Sequence, residues 1–216
     1  MNATAMTVPP AETAGHPDRT DLSWFARPWG TALMLLVTSV VGLTTTIIIM
    51  MEGANMAADP DYRASCDLNP WLSCGTVLKS WQAITFGFSN NYIGLVAFPV
   101  LITVAVSLLA GARFHRWYWI AMNIGVLGGF ALVVWFWYSA VYSIGTLCLY
   151  CMVIWSMVIM QIVLLTSRNI QTGVIPAGPR ARALARDLAW PLVVVLFAGI
   201  FVSILLELGL GVIGLA

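Results

Sequence analysis

The stretch Cys148-Leu149-Tyr150-Cys151 lies at the start of an apolar run that covers residues 147–165. If this run is a helix, the two sulfurs are three residues apart and face the same side. Both would lie in the first turn, where the helix dipole favours an anion and lowers the pKa of a thiol. The chain has four cysteines, and its function depends on whether the other two, Cys66 and Cys74, reach this pair.

The composition indicates an integral membrane protein. Of the 216 residues, 60% are hydrophobic and 9% are charged, whereas a soluble domain carries about 25% charged residues. The first apolar run begins near Thr31 and is longer than the apolar core of a signal peptide. No basic stripe suggests binding to nucleic acid.

Five apolar runs are long enough to cross a hydrocarbon core of about 30 Å at a rise of about 1.5 Å per residue. They cover residues 31–51, 92–110, 117–138, 147–165 and 190–210. We therefore predict an all-α, polytopic membrane protein with a four-helix bundle and a fifth transmembrane helix. The predicted divisions are a cytoplasmic polar tail (1–29), a four-helix domain with an outer loop at 52–91 (30–167), a cytoplasmic basic loop (168–188), and the fifth helix with the C-terminus (189–216).

The basic residues predict the orientation. With the N-terminus inside, eight of the ten Lys and Arg residues lie in inner segments, and only Arg63 and Lys79 lie outside. The positive-inside rule therefore places the N-terminus in the cytoplasm. It also places Cys66, Cys74 and the start of the fourth span on the outer side, where disulfides persist.

The outer loop contains a helix signal. Asn69-Pro70 is typical of an N-cap followed by proline at the first helical position. Apolar residues then recur at three- and four-residue spacing, which predicts a short amphipathic helix on the membrane surface. These residues are Val77, Leu78, Trp81, Ile84 and Phe88.

Four cysteines on one side of the membrane allow three interpretations. Two disulfides could hold the loop on the bundle without any catalysis. A zinc site is the second, although zinc sites usually use two closely spaced pairs, and His16 and His115 are both predicted to lie inside. The third, which compartment and placement favour, is a relay in which a thiolate attacks a disulfide and electrons leave to a quinone in the bilayer.

A set of short motifs accompanies the cysteines: Cys66-Asp67, Ser73-Cys74, Ser80-Trp81, Phe86-Gly87, Asn90 ahead of Gly94, and Ile144-Gly145 ahead of Cys148 and Cys151. On these motifs the chain resembles the vitamin K epoxide reductase (VKOR) family, in its bacterial disulfide-forming form, over roughly residues 30–165. The other quinone-linked oxidase type, the DsbB type, places its Cys-x-x-Cys between the first two spans, which is the reverse of the order here.

The resemblance implies a role for each cysteine. Cys151 would face the quinone, Cys148 would exchange with Cys74, and Cys66 would pass oxidising equivalents to a partner. The partner implied is a secreted or membrane-anchored DsbA-like protein of the thioredoxin fold. Many bacterial relatives carry a fused thioredoxin domain after the fifth span, and because this chain ends at Ala216 the partner is expected in trans.

The resemblance also implies a quinone site. Asn90 matches a position that hydrogen-bonds a quinone carbonyl, and Ser80 matches one that supports the relay near the loop helix. Trp155 stands where members active on vitamin K carry a tyrosine, and tryptophan can donate only through its indole N–H. Reduction of vitamin K epoxide or quinone stays an alternative activity. An excess of Arg and Ala over Lys is typical of a GC-rich bacterium, which favours menaquinone over ubiquinone and a location in the bacterial plasma membrane.

Overall fold

A computed structural model describes residues 22–59 and 61–209 of the chain. No β-strand forms within these ranges, and every α-helix except the second is long and apolar enough to span a membrane. The predicted all-α fold with five spans is therefore confirmed. The predicted polar tail before residue 22, with His16, and the end after residue 209 lie outside the described residues. The α-helices are α1 (Pro28–Ala58), α2 (Cys74–Lys79), α3 (Asn91–Leu109), α4 (Arg116–Tyr138), α5 (Leu149–Gln171) and α6 (Pro179–Leu208).

The helix α1 and the connection between α5 and α6 differ from the predicted bounds. α1 continues past residue 51 to Ala58, because three of the six residues after Glu52 are alanine, the strongest helix former. The connection between α5 and α6 covers residues 172–178, so it is shorter than the basic loop predicted over residues 168–188. Gly178 is the N-cap of α6 and Pro179 fills its first turn, which is the usual helix-start arrangement that the sequence reading missed.

α1 and α5 form the centre of the bundle. α1 packs on α3 and α5, and α5 also packs on α4 and α6. A buried polar link joins the two central helices, since Gln161 Nε2 donates to Thr38 Oγ1 at 3.0 Å and to Ser39 Oγ at 3.1 Å. The fifth spanning helix, α6, thus packs on α5 at the side of the four-helix bundle.

A tight connection places the start of α5 at the end of the bundle that carries the loop with Cys66 and Cys74. α4 passes into a π-helical turn, Ser139–Ile144, which ends at Gly145 with φ of 69°. Glycine adopts this left-handed conformation at little cost. The chain then reverses and reaches Cys148 in an extended conformation, one residue before α5 begins.

The loop helix begins later than predicted. Asn69 does not cap it: Asn69 Oδ1 accepts hydrogen bonds from the N–H groups of Trp71 and Leu72 and closes a turn before the helix. Ser73 is the N-cap of α2, and its hydroxyl accepts from Thr76 N at 3.2 Å. The helix ends at Lys79, and a short 3-10 turn, Trp81–Ile84, follows. The predicted start at Asn69-Pro70 is therefore wrong.

Candidate redox site

The structure brings three of the four cysteines into contact. Cys66 and Cys74 form a disulfide, and Cys148 Sγ lies 2.9 Å from Cys74 Sγ. All three residues are buried, and their sulfurs lie within 4.8 Å of one another. Because two of these sulfurs are bonded to each other, they cannot serve as zinc thiolates in this state. The arrangement places one free thiol against one disulfide, which is the geometry of thiol–disulfide exchange.

Main-chain hydrogen bonds hold Cys74 against Cys148. Leu147 N donates to Trp71 O at 2.8 Å, and Ser73 N donates to Leu147 O at 3.0 Å. The second bond joins the residues directly before Cys74 and Cys148. Asp67 Oδ1 adds a second anchor, because it accepts from Gly75 N and from Ser73 Oγ, each at 2.9 Å. The Cys74 side of the disulfide is therefore held by main-chain hydrogen bonds and by the Asp67 carboxylate.

Cys148 is the N-cap of α5, one position earlier than the predicted first turn. Its sulfur accepts from the Cys151 N–H at 3.4 Å. The hydrogen bond from the Cys151 thiol, helped by the N–H groups of Cys151 and Tyr150, lowers the pKa of Cys148 although burial opposes it. The lowered pKa makes Cys148 a ready attacking thiolate toward Cys74 in one direction of the exchange and a ready leaving group in the other.

We expect Cys148 to alkylate with a pH midpoint below the value of about 8.5 for an ordinary thiol. A lowered pKa means that the thiolate is present at lower pH, so the rate should rise and level off earlier. The rate at Cys148 is followed peptide by peptide in a mass spectrometer as pH is varied. Cys151→Ala removes the strongest hydrogen bond and should move the midpoint upward. An ordinary midpoint in both proteins would contradict the assignment.

A cavity of about 150 Å³ lies beside Cys151, at the same end of the bundle as the sulfur cluster. Apolar residues from α1, α3, α4, α5 and the outer loop form most of its wall. Among the residues that line it are Val77, Asn90, Phe98, Val133, Cys151 and Trp155. The backbone N–H of Cys151 donates to the Cys148 sulfur, and Cys151 also lines the apolar cavity. Cys151 therefore connects the sulfur cluster to the cavity.

Asn90 places polar atoms at the cavity. Its Nδ2 donates to Gln82 O at 2.6 Å, which uses one of the two amide hydrogens. Its Oδ1 is buried and has no partner among the described residues. An unpaired buried acceptor is costly, so Asn90 is suited to a polar ligand in the cavity.

Of the two remaining predicted site residues, the structure places Trp155 at the cavity and Ser80 away from it. Trp155 is buried and lines the same cavity as Asn90. Ser80 is not among the residues that line it: its hydroxyl donates to Val77 O at 2.6 Å and closes the end of α2. Any effect of Ser80 on the relay would act through α2, and its role stays a prediction.

Two acidic residues at the site were missed or undervalued from the sequence. From the sequence, Asp67 is predicted only as part of the Cys66-Asp67 motif, with no role, and the structure shows that it anchors the start of α2. Glu52 reads as the first polar residue after the first span, yet it is buried and hydrogen-bonded to Tyr62 and Ser65 beside Cys66. The one sequence signal for Glu52 is an acid that directly follows an apolar run of spanning length.

The comparisons with known proteins agree with the resemblance in the sequence. The model for the Vitamin K epoxide reductase family matches residues 33–166. This range contains all four cysteines and covers more than half of the chain. No curated protein matches the chain at a significant level.

Proposed function

Since the chain belongs to the vitamin K epoxide reductase family, we propose that this multi-pass membrane oxidoreductase is a quinone-dependent thiol oxidase. It would oxidise the dithiol of a thioredoxin-fold protein and transfer the electrons to a quinone in the bilayer. The observation that carries the proposal is the 2.9 Å separation of the Cys148 and Cys74 sulfurs. The position of Cys151 at an apolar cavity supports it, because it gives the electrons a place to leave.

Thiol–disulfide exchange would proceed in two steps on the outer side, first with the partner and then between the two cysteine pairs. A thiolate of the partner attacks Cys66, the Cys66–Cys74 bond breaks, and the partner's second thiol completes its own disulfide. Cys66 and Cys74 are now reduced and hold the two electrons. Cys74 then attacks Cys148 of an oxidised Cys148–Cys151 pair, and Cys66 attacks Cys74 to restore the first disulfide. The electrons end on Cys148 and Cys151 as two thiols.

The reduced Cys148–Cys151 pair would then pass two electrons and two protons to a quinone held at the cavity beside Cys151, and quinol would leave. The residues at the cavity fit such a ring. Its wall is mainly apolar, Cys151 lies at its edge, and Asn90 offers a free amide hydrogen for a carbonyl and an acceptor oxygen for a hydroxyl. The excess of Arg and Ala over Lys makes menaquinone the preferred acceptor in this proposal, before ubiquinone.

The proposal places the cysteines on the outer face of a bacterial plasma membrane, with the partner acting in trans. The distribution of Lys and Arg supports this orientation. The sulfur cluster and the loop that carries Cys66 share one end of the bundle, so a single orientation serves every step.

Spheroplasts and inverted membrane vesicles test activity and orientation together. Each is supplied with a reduced thioredoxin-fold protein that is too large to cross the membrane, and its free thiols are followed with time. We expect oxidation with spheroplasts, loss of that oxidation when quinone is depleted, and recovery when a soluble quinone is added. Oxidation by inverted vesicles alone would reverse the topology. Oxidation that ignores quinone in both would overturn the proposed acceptor.

A further inference from the structure

Glu52 is a buried carboxylate near the outer end of α1, with 7% of its surface exposed. It forms no ion pair within the described part of the chain. A buried carboxylate without a counter-ion is costly unless hydrogen bonds satisfy it. Ser65 donates to it from both N–H and hydroxyl, and Tyr62 Oη donates at 3.1 Å. The side-chain hydrogen bonds between α1 and the stretch before Cys66 therefore converge on Glu52.

The contact continues from Ser65 into the Cys-x-x-Cys motif. Ser65 Oγ lies 2.9 Å from Tyr150 Oη, and Tyr150 stands between Cys148 and Cys151. A serine hydroxyl has one hydrogen, and Ser65 gives it to Glu52, so the Tyr150 hydroxyl is the donor to Ser65. Two hydrogen bonds therefore follow one another in the same direction: Tyr150 donates to Ser65, and Ser65 donates to the Glu52 carboxylate.

The two sides of the disulfide are held differently. The Cys74 side is joined to Leu147 by main-chain hydrogen bonds. Across the described residues, the hydrogen bonds that join residues 62–66 to α1 and α5 pass through the side chain of Glu52 or Tyr150. After Cys66, Asp67 joins this side to Ser73 and Gly75. Before Cys66, Glu52 and Tyr150 supply the side-chain hydrogen bonds to the bundle, so a change at either one loosens this side without touching the Cys74 anchors.

We infer that Glu52 is a positioning residue for disulfide exchange, which docks Cys66 beside Cys74 through Ser65 and Tyr150. The inference rests on the proposed function. When Cys148 attacks Cys74, the Cys74–Cys148 bond forms, the Cys66–Cys74 bond breaks and Cys66 leaves as a thiolate. The Cys66 thiolate then takes up the proton that Cys148 lost. The reverse attack needs Cys66 close to Cys74. The exchange consumes no oxidant, so the ratio of the two disulfides is an equilibrium ratio. Glu52 raises the share of the Cys66–Cys74 disulfide because it holds Cys66 beside Cys74.

The ratio can be measured in full-length protein that carries Cys151→Ala. The three remaining cysteines then share one disulfide, and electrons cannot pass to quinone. After equilibration and an acid quench, free thiols are alkylated and the two disulfides are counted by peptide mass spectrometry. We expect Glu52→Gln to lower the ratio of Cys66–Cys74 to Cys74–Cys148 by about tenfold, because hydrogen bonds to a charged group are lost.

Tyr150→Phe is a second variant that leaves Glu52 in place, and it should lower the ratio by a smaller factor. Ser65→Ala combined with Glu52→Gln should change the ratio no further than Glu52→Gln alone, because both remove the same link. The matched control is Asp59→Asn, an exposed acid that follows α1 at the same end; it should leave the ratio unchanged.

The outcomes separate the inference from the proposed function. An equal ratio in Glu52→Gln, Tyr150→Phe and the Asp59→Asn control overturns the role of Glu52 and leaves the relay standing. If the Cys74–Cys148 disulfide forms in none of the proteins, the relay itself is wrong, and the role of Glu52 falls with it.

Discussion

Cys151→Ala is expected to lower the steady-state rate of quinone-dependent thiol oxidation by on the order of a hundredfold or more. Cys151 is the cysteine that lines the apolar cavity, whereas Cys148 is turned toward Cys74 at 2.9 Å. Without Cys151, the inner pair cannot form its disulfide, so the electrons have no path to quinone. The measurement is the rate of quinol formation together with the loss of thiols from the partner protein.

The same variant should still carry out a single turnover. Its Cys66–Cys74 disulfide is intact, so it should oxidise about one equivalent of the partner and then stop. Ser156→Ala is the matched control on α5, since the Ser156 hydroxyl only donates to Met152 O in its own helix. Steady turnover by Cys151→Ala at a rate close to that of the wild type would show that the electrons reach quinone by another route.

The spans were predictable because they depend on local composition alone. A run of about twenty apolar residues has few alternatives to a membrane helix. The family motifs add the four cysteines, and the matched range of residues 33–166 agrees with the resemblance over residues 30–165.

Helix ends at the site were less predictable because several residues compete for the same role. Asn69 and Ser73 are both good N-caps by type. Tertiary contacts decide between them, since Asp67 binds the Ser73 hydroxyl and the Gly75 N–H and fixes α2 at Ser73. The π-helical turn Ser139–Ile144 likewise has no pattern of its own in the sequence, and it places Cys148 before α5 instead of inside it.

The Glu52 network was out of reach from the sequence for a related reason. Ser65 is 13 residues from Glu52 and 85 residues from Tyr150. An acid at the end of a spanning helix usually extends toward water, and only the folded loop shows that Glu52 is covered. Hydrogen-bond partners of this kind follow from the fold and do not predict it.

Cys66→Ala should trap the relay as a Cys74–Cys148 disulfide in more than about half of the molecules when quinone is supplied. Quinone oxidises the inner pair, and Cys74 attacks Cys148 from the 2.9 Å contact. Cys66 is then missing and cannot resolve the bond. The bridged fraction is read by alkylation under anaerobic, acid-quenched conditions and peptide mass spectrometry.

The trap distinguishes a relay from a structural disulfide. If the Cys66–Cys74 bond only held the loop on the bundle, Cys66→Ala would leave Cys74 as an inert buried thiol, and quinone would not change its state. The double variant Cys66→Ala, Cys151→Ala is the control, because it keeps both bridging cysteines and lacks the thiol that delivers electrons. A bridge that forms at the same rate in the single and double variants, or without quinone, would mean that Cys74 and Cys148 react only because they are close together.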